Sequence, residues 1–228
     1  NFTERVISIA AVGAQDLFAI DVDGDGDIDV LSASQIDDKI AWYENDGSSN
    51  PSWTAADIAT DADYARAVFA ADMDNDGDTD LFIANGHLED QIDKYDQSSQ
   101  YRQRNQVYRG ENGRFREITR GGGSGLTEKP SSRGAAFGDI DNDGDLDIVV
   151  CNSRERPSLL INETPAKNAW LSLKLKGKTD PYALGARATI RAGGRTQVAE
   201  VRSGGSYVCQ NDLRLHFGLA DSKKADRV

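Results

Sequence analysis

The segment Asp139-Ile140-Asp141-Asn142-Asp143-Gly144-Asp145-Leu146-Asp147 sets five aspartates at every second position around one glycine. Two further copies stand earlier in the chain, at 21–29 and 72–80. Every copy has aspartate at positions 1, 3, 5, 7 and 9 and glycine at position 6. Residues 21–29, 72–80 and 139–147 are called loop 1, loop 2 and loop 3.

The three loops are predicted to bind calcium. Carboxylates at positions 1, 3, 5 and 9 and the backbone carbonyl at position 7 offer hard oxygen ligands, of which Ca²⁺ takes about six to eight. A cation also removes the repulsion among clustered carboxylates. One such string alone could equally be a solvated turn, but three copies at the same spacing favour metal binding. The candidate ligands are Asp21, Asp23, Asp25, Asp27, Asp29, Asp72, Asp74, Asp76, Asp78, Asp80, Asp139, Asp141, Asp143, Asp145 and Asp147.

The residues after each loop argue against an EF-hand. That motif needs a bidentate glutamate at position 12 and flanking helices, whereas position 12 here is Ser32, Ile83 or Val150. Apolar, β-branched runs follow the loops at 30–31, 81–83 and 148–150. Each loop is therefore predicted to join two β-strands.

Length and composition suit a folded, acidic protein. The chain has 228 residues, 38% of them hydrophobic, and a formal net charge of −12. Much of the acidity lies in the loops, so three Ca²⁺ ions would halve the net charge. The acidic balance argues against nucleic-acid binding, which uses basic surfaces. No apolar stretch approaches the length of about 18 residues that a membrane span requires.

A repeat of 51 residues relates the first two loops and their surroundings. Phe18-Ala19 aligns with Phe69-Ala70, and Phe2-Thr3 aligns with Trp53-Thr54. In the third copy, Phe115 and Phe137-Gly138 take the corresponding places before loop 3. Each unit thus reads as a strand, a Phe-Ala or Phe-Gly step, a metal loop and further strands. Such units are typical of β-propeller blades. Because a ring takes about four to eight blades, three units predict an open arc with exposed edge strands.

The second unit contains an insertion at 85–105, rich in Gln, Asp, Tyr and Arg. A long loop of this composition is a candidate recognition surface. Packing across a neighbouring blade or the C-terminal region is the alternative. Six residues before each loop stand Gln15, Arg66 and Arg133, for which a structural contact at the level of the blade is favoured over substrate recognition.

The step and loop together resemble the FG-GAP, or VCBS, repeats of integrin-α-like propellers over about residues 1–163. Strings at 85–87, 93–95, 104–106 and 132–139 more narrowly resemble the cartilage acidic protein family. The C-terminal part resembles the ASPIC/UnbV domain. Its matching strings are Asn168-Ala-Trp-Leu171, Gly185-Ala-Arg187, Gly193-Gly194, Glu200-Val-Arg-Ser-Gly-Gly-Ser-Tyr207 and Leu215-His-Phe-Gly218.

An all-β fold is expected: a partial β-propeller of three integrin-α-like, FG-GAP-type blades, then a small β-sandwich-like domain. The blades are assigned to residues 1–163 and the ASPIC/UnbV-like domain to 167–228, with the boundary near Pro165. Alternating runs between 170 and 217, separated by glycine turns, support the second assignment. Asn1 in place of methionine and the uncapped end at Val228 indicate a chain cut at both ends.

The residues provide no recognisable catalytic set. GxSxG, HExxH and P-loop spacings are absent from the sequence, and the clustered carboxylates are committed to metal. His216 lies in a strand-like run and favours a structural role, while a metal-ligand role is the minor alternative for His87. The chain is therefore predicted not to be an enzyme. The alternative is an accessory calcium-stabilised region of a larger secreted enzyme whose active site lies elsewhere.

The resemblance implies an exported, calcium-binding protein with a binding or adhesion role. Open aspartate-rich sites also suit millimolar extracellular calcium, so the protein is expected to be secreted or extracellular, or periplasmic or on the cell surface in a bacterium. The expected partners are calcium ions and an unidentified protein or glycan, not nucleic acid. Cys151 and Cys209 are interpreted as free thiols, with a disulfide as the alternative.

Overall fold

The computed structural model describes residues 4–165, 167–207 and 209–228. Its regular structure consists of fifteen β-strands and three single-turn 3₁₀ helices, and the paired strands are antiparallel. The all-β prediction is confirmed. The predicted repeat match at Phe2-Thr3 lies outside the described residues. The 3₁₀ helices are Ile92–Lys94, Thr119–Gly121 and Ser124–Leu126.

Three antiparallel sheets carry the repeats, each with neighbouring strands that follow one another in sequence. The first contains β1 (Ala14–Ile20), β2 (Asp29–Ser34), β3 (Lys39–Asn45) and β4 (Trp53–Ala59). The second contains β5 (Ala65–Ala71), β6 (Asp80–Asn85), β7 (Gln106–Glu111) and β8 (Arg114–Glu117). The third contains β9 (Ser132–Gly138), β10 (Asp147–Asn152) and β11 (Ser158–Leu160).

Each metal loop joins the first two strands of its sheet, as predicted. The strand register is the same in all three cases, because the residue before position 1 pairs with the aspartate at position 9. The pairs are Ile20 with Asp29, Ala71 with Asp80, and Gly138 with Asp147. The loop is therefore the closed end of a β-hairpin whose two stems hold its first and last residues together.

The repeat unit read from the sequence begins one strand earlier than the corresponding sheet in the structure. Trp53 begins β4 and pairs with Asn45 of β3, so it belongs to the first sheet. Phe115 likewise lies in β8 and pairs with Gly110 of β7. The predicted unit began with this strand, but the structure places it at the outer edge of the preceding sheet. Short connections after β3 and β7 favour pairing with the strand just completed.

The step phenylalanines form the contact between successive sheets. The ring centroids of Phe18 and Phe69 lie 6.3 Å apart, and those of Phe69 and Phe137 lie 5.3 Å apart. Phe69 is fully buried, and β1 packs on β5 as β5 packs on β9. Aromatic side chains bury large apolar areas, so one Phe per unit joins the sheets side by side through their first strands.

Arg66 and Arg133 make structural contacts, which connect neighbouring sheets. Arg66 donates to the side chain of Gln35 at 2.7 Å, from the second sheet to the residue after β2 of the first. Arg133 donates to the carbonyl oxygens of Gly86 and His87 at 3.1 and 2.9 Å. Gln15, the equivalent residue of β1, is exposed.

The C-terminal strands form two two-stranded sheets over a separate small core. β12 (Ala169–Leu173) pairs with β15 (Leu215–Ala220), and β13 (Arg187–Ala192) pairs with β14 (Arg195–Glu200). Residues from both sheets share one apolar cluster centred on Ile190, Val201 and Phe217. This arrangement agrees with the predicted sandwich-like packing.

Part of the insertion at 85–105 packs on the third sheet. The backbone amide of Gln103 donates to the carbonyl of Pro130 at 2.9 Å, and Arg102 forms a 2.9 Å ion pair with Glu155. These contacts match the packing alternative. Tyr95, in contrast, is 76% exposed, so recognition through the outer part of the insertion stays a prediction.

Candidate metal sites

Loop 1 brings together the carboxylates of Asp21, Asp23 and Asp29. One oxygen from each lies within 4.8 Å of the others. Two ligands of one Ca²⁺ ion lie at most about 5 Å apart, given bonds of about 2.3–2.6 Å, so this spacing fits a shared ion. Asp21 also accepts hydrogen bonds from the backbone amides of Gly24 and Gly26, at 2.8 and 3.0 Å, which fold the loop around its first residue.

Loop 2 repeats this arrangement in a more buried setting. Oxygens of Asp72, Asp74 and Asp80 lie within 4.8 Å of one another. Oδ2 of Asp72 accepts from the amide of Gly77 at 2.9 Å. Oδ1 of Asp72 is buried and has no hydrogen-bond partner among the described residues. A buried carboxylate oxygen without a donor is costly, and a cation at the cluster would satisfy it.

Loop 3 gathers a different set, Asp139, Asp141 and Asp143. Asp139 is 4% exposed, and both its carboxylate oxygens are buried with no hydrogen-bond partner in the described part of the chain. Asp147, at position 9, is not part of this group. The position-1 aspartate thus leaves unsatisfied oxygens at two of the three clusters.

The position-9 aspartates share a structural task that the sequence did not reveal. One oxygen of each carboxylate accepts a hydrogen bond from the backbone amide at position 2 of the same loop. The other oxygen accepts one from a backbone amide in, or just after, the third strand of the same sheet. These bonds tie the loop to its sheet. The donors are Val22 and Asn45 for Asp29, Met73 and Gly110 for Asp80, and Ile140 and Asn162 for Asp147, at 2.8–3.1 Å.

Other predicted ligands lie outside the three clusters. Asp25 and Asp76, at position 5, accept the amide of the residue two positions later at 2.8 and 2.9 Å. At position 7, Asp78 accepts from the amide of Asn112 at 3.1 Å, and Asp145 accepts from Asn75. Asp27 packs beside Gly47. None of these five carboxylates belongs to the clusters found among the described residues.

Burial and mutual repulsion disfavour the ionised forms of the Asp72 and Asp80 carboxyl groups in loop 2. Burial, followed by the charges of Asp80 and Asp76, raises the pKa of Asp72 to about 8. Burial raises the pKa of Asp80 to about 7, against the opposing effect of two amide donors. A divalent cation at the cluster would favour the ionised forms, since an opposite charge nearby lowers a carboxyl pKa.

Two arginines already lie against loop 2. Arg109 of β7 donates to Asp74 and lies 3.5 Å from Asp76. Arg195 of β14 lies 3.4 Å from Asp78. These guanidinium groups offset part of the loop's charge, and Arg109 shares Asp74 with the proposed metal.

Asn75, at position 4 of loop 2, is a residue whose role sequence reasoning missed. It has φ +62° and is 1% exposed. Its side-chain amide donates to the carbonyl of Gly144 and to Asp145 at 3.0 and 2.8 Å, while its Oδ1 lies 2.6 Å from Nε2 of His216. Asn75 therefore contacts loop 3 and the C-terminal strand β15. The sequence feature that could have pointed to this role is the asparagine at position 4 of loops 2 and 3, where loop 1 has Gly24.

Neither histidine lies in a metal cluster among the described residues. Nδ1 of His87 accepts the amide of Glu89 at 2.9 Å, and its ring packs on Tyr64 with centroids 3.7 Å apart. The ring of His216 stacks on Trp170. Both therefore have structural contacts.

Two family models match the chain. The model described as "FG-GAP-like repeat" matches residues 21–83 and 96–150, which together make up just over half of the sequence. The chain belongs to the FG-GAP-like repeat family. A second model, "ASPIC and UnbV", matches residues 176–228. FG-GAP repeats are integrin-like propeller blades, so the three sheets are blades and the partial-propeller prediction is confirmed.

Among curated proteins, the FG-GAP chain is similar to Cartilage acidic protein 1 of Mus musculus, with 27% identity over 160 residues. The alignment covers 68% of this chain but 23% of the relative, so the chain spans a small part of that protein's length. Neither family model nor the relative is named for an enzymatic activity. The FG-GAP repeats suggest an extracellular binding or adhesion-like segment. The described helices are all too short to cross a membrane.

Proposed function

We propose that the three FG-GAP loops each bind one Ca²⁺ ion and that the chain is a calcium-stabilised, non-catalytic segment of an exported binding or adhesion protein. The proposed ligands are the carboxylates at positions 1, 3, 5 and 9 and the position-7 carbonyl of each loop. The proposed division is blades over 1–163 and an ASPIC/UnbV-like domain over 167–228. An unidentified protein or glycan is the proposed partner.

The two unpartnered oxygens of Asp139 carry the metal proposal. They are buried beside Asp141 and Asp143, and no hydrogen-bond donor in the described part of the chain reaches them. An ionised carboxylate without donors or a counter-charge is strongly disfavoured. A cation supplies the missing attraction for all three side chains together.

Calcium fits the donor set better than other common ions. The ligands offered are oxygen atoms, which hard cations prefer, and soft metals would want cysteine or histidine. Mg²⁺ demands a strict octahedron at about 2.0–2.1 Å and retains waters. Loops with several carboxylates on flexible Asp-Gly turns suit the larger, less demanding ion.

The proposed effect of calcium is on stability. Extracellular modules of this kind bind Ca²⁺ with dissociation constants of order 10⁻⁴–10⁻³ M. At a free concentration about ten times that constant, each loop gains roughly 1.4 kcal/mol by mass action. Three loops then supply about 4 kcal/mol, a large part of the stability of a marginally stable protein.

Calorimetric titration of the calcium-free chain with CaCl₂ tests the metal proposal. We expect a stoichiometry of three ions, and Asp139→Asn should reduce it to two because the amide removes a charged ligand at nearly constant size. Asp57→Asn is the matched control, since Asp57 is a surface carboxylate paired with Lys39 outside the loops. Absence of calcium binding by the unmodified chain, or an equal loss in both variants, would overturn the proposal.

A further inference from the structure

Cys151 and Cys209 lie close together although 58 positions separate them in the sequence. Cys151 is in β10 of the third blade, where it pairs with Gly134 of β9. Cys209 lies in the segment before β15 and forms an isolated bridge with Ser206. Their Sγ atoms are 3.6 Å apart, and both side chains are half-buried.

The segment that carries Cys209 docks on β9 through hydrogen bonds that do not involve sulfur. The amide of Asp212 donates to the carbonyl of Phe137 at 2.9 Å, and Asn211 accepts from the amide of Phe137 at 3.1 Å. The segment around Cys209 therefore runs along β9. Its docking holds the two thiols side by side.

Gly134 makes this close approach possible. A Cβ atom at Gly134 would lie 2.5 Å from the carbonyl oxygen of Tyr207 and 3.3 Å from Sγ of Cys209. A distance of 2.5 Å to a backbone atom cannot be accommodated without movement. Glycine thus leaves the room in which the C-terminal segment sits against the blade, next to Cys151.

We propose that Cys151 and Cys209 form a disulfide that links the third FG-GAP blade to the ASPIC/UnbV region. A disulfide bond is about 2.05 Å long, and the present separation of the sulfurs is within reach of small side-chain rotations. The cross-link would anchor the C-terminal region beside loop 2, which it already contacts through His216 of β15, and loop 3, which it contacts through Arg214. It adds to the calcium proposal and does not depend on it.

The oxidant is a disulfide of a thiol–disulfide oxidoreductase or of oxidised glutathione. The thiolate of one cysteine attacks that disulfide, forming a mixed disulfide and releasing one thiol. The second cysteine, on losing its proton, attacks the protein sulfur of the mixed disulfide and releases the second thiol. Two protein thiols are oxidised and one external disulfide is reduced. Burial and the neighbouring Cys151 raise the pKa of Cys209 to about 12, so the pair should react slowly and needs equilibration rather than a brief exposure.

The test uses the full chain equilibrated in a glutathione redox buffer, then quenched with acid and unfolded. Thiol titration in denaturant should detect no free thiol. Peptide mapping should recover one pair of peptides joined through Cys151 and Cys209. Excess reductant should restore both thiols and lower the melting temperature by about 5–15 °C, as expected for a closed loop of this length. The Cys151→Ser/Cys209→Ser variant should melt at the same temperature with and without reductant.

Gly134→Ala provides a matched variant that keeps both cysteines. The added methyl group should displace the segment carrying Cys209, so the fraction of paired thiols should fall at the same redox potential. Two titratable thiols in the equilibrated unmodified chain, or glutathione bound to one cysteine with the other free, would overturn the proposal. These outcomes would leave the calcium titration unaffected, so the two proposals fail separately.

Discussion

The side-chain amide of Asn75 donates to Oδ1 of Asp145 at 2.8 Å and so joins loop 2 directly to loop 3. Both residues are almost fully buried. Asp145 occupies position 7, where the proposed metal ligand is the backbone carbonyl and the side chain is free for another contact. Loop 3 therefore holds two kinds of aspartate: Asp139, Asp141 and Asp143 form the carboxylate cluster, whereas Asp145 faces the neighbouring second blade.

Replacement of Asp143 and of Asp145 by alanine should therefore have different consequences. Asp143→Ala removes a proposed ligand, so we expect it to lose about one third of the calcium-dependent melting shift with little change in chelator. Asp145→Ala breaks a buried, charge-assisted hydrogen bond and should cost about 1.5–3 kcal/mol with or without calcium. Melting curves of both variants in calcium and in chelator check this. Equal behaviour would mean that the two carboxylates have the same role.

Asn75 and Asn142 give a matched pair for the contact between loops. Both occupy position 4 with φ +62°, a region that costs alanine about 1–2 kcal/mol relative to glycine. Asn75 is buried with partners in loop 3 and β15, whereas Asn142 is exposed and accepts one hydrogen bond, from Arg214 at 3.1 Å. Asn75→Ala should lower the free energy of unfolding by about 2–4 kcal/mol and Asn142→Ala by about 1 kcal/mol. Urea unfolding at fixed calcium measures both, and a larger loss for Asn142→Ala would contradict the assigned contacts.

His216 should make the protein less stable in acid. Burial lowers its pKa from 6.5 to about 4, with Arg214 adding to the effect and Asp139 opposing it. Nδ1 of His216 is buried with no hydrogen-bond partner among the described residues, so a proton there would be unsatisfied. Because the unfolded chain binds this proton first, stability falls as the pH drops from 6.5 towards 4, by up to about 3 kcal/mol.

The comparison with His216→Gln isolates this contribution from the aspartates, which also titrate in acid. Glutamine can still donate to Asn75 but does not take up a proton. We expect the unmodified chain to lose more stability than His216→Gln between pH 6.5 and pH 4.5 in urea unfolding. Parallel losses in the two proteins would show that His216 does not titrate in this range.

Arg109 should compete with calcium at loop 2. Its guanidinium group bonds to Asp74, a proposed ligand, and lies near Asp76. Arg109→Gln removes the competing charge, so the calcium-free variant should be less stable while its calcium-dependent melting shift should grow. Arg116→Gln is the control, because Arg116 pairs with the exposed Glu111 and with no loop aspartate among the described residues. A smaller calcium shift in Arg109→Gln than in the control would contradict this role.

The aspartate spacing and the Phe steps predicted much of the fold because both are local. Each loop closes a hairpin, so its two strands could be predicted from the apolar runs beside it. Phe69 packs against Phe18 and Phe137 because the repeat places the three residues at equivalent positions. The periodicity also predicted a structural role for Arg66 and Arg133, but not their partners in the neighbouring blade. Family resemblance added the C-terminal domain.

Contacts between distant segments were not predictable from one sequence. Asn75 resembles an ordinary turn residue, and its partner His216 lies 141 positions away. The proximity of Cys151 and Cys209 depends on how the C-terminal region docks. The position-9 aspartates were predicted only as metal ligands. Their hydrogen bonds to backbone amides, such as those of Asn45 and Gly110, depend on where the third strand of each blade lies.

The most direct test of calcium stabilisation is the melting temperature of the unmodified chain in about 2 mM calcium and in excess chelator. A total of about 4 kcal/mol from three loops predicts a melting temperature roughly 8–16 °C higher with calcium. Magnesium at the same concentration should give a much smaller shift. Identical melting in calcium and in chelator would contradict the account, because the three aspartate loops would then be solvated turns.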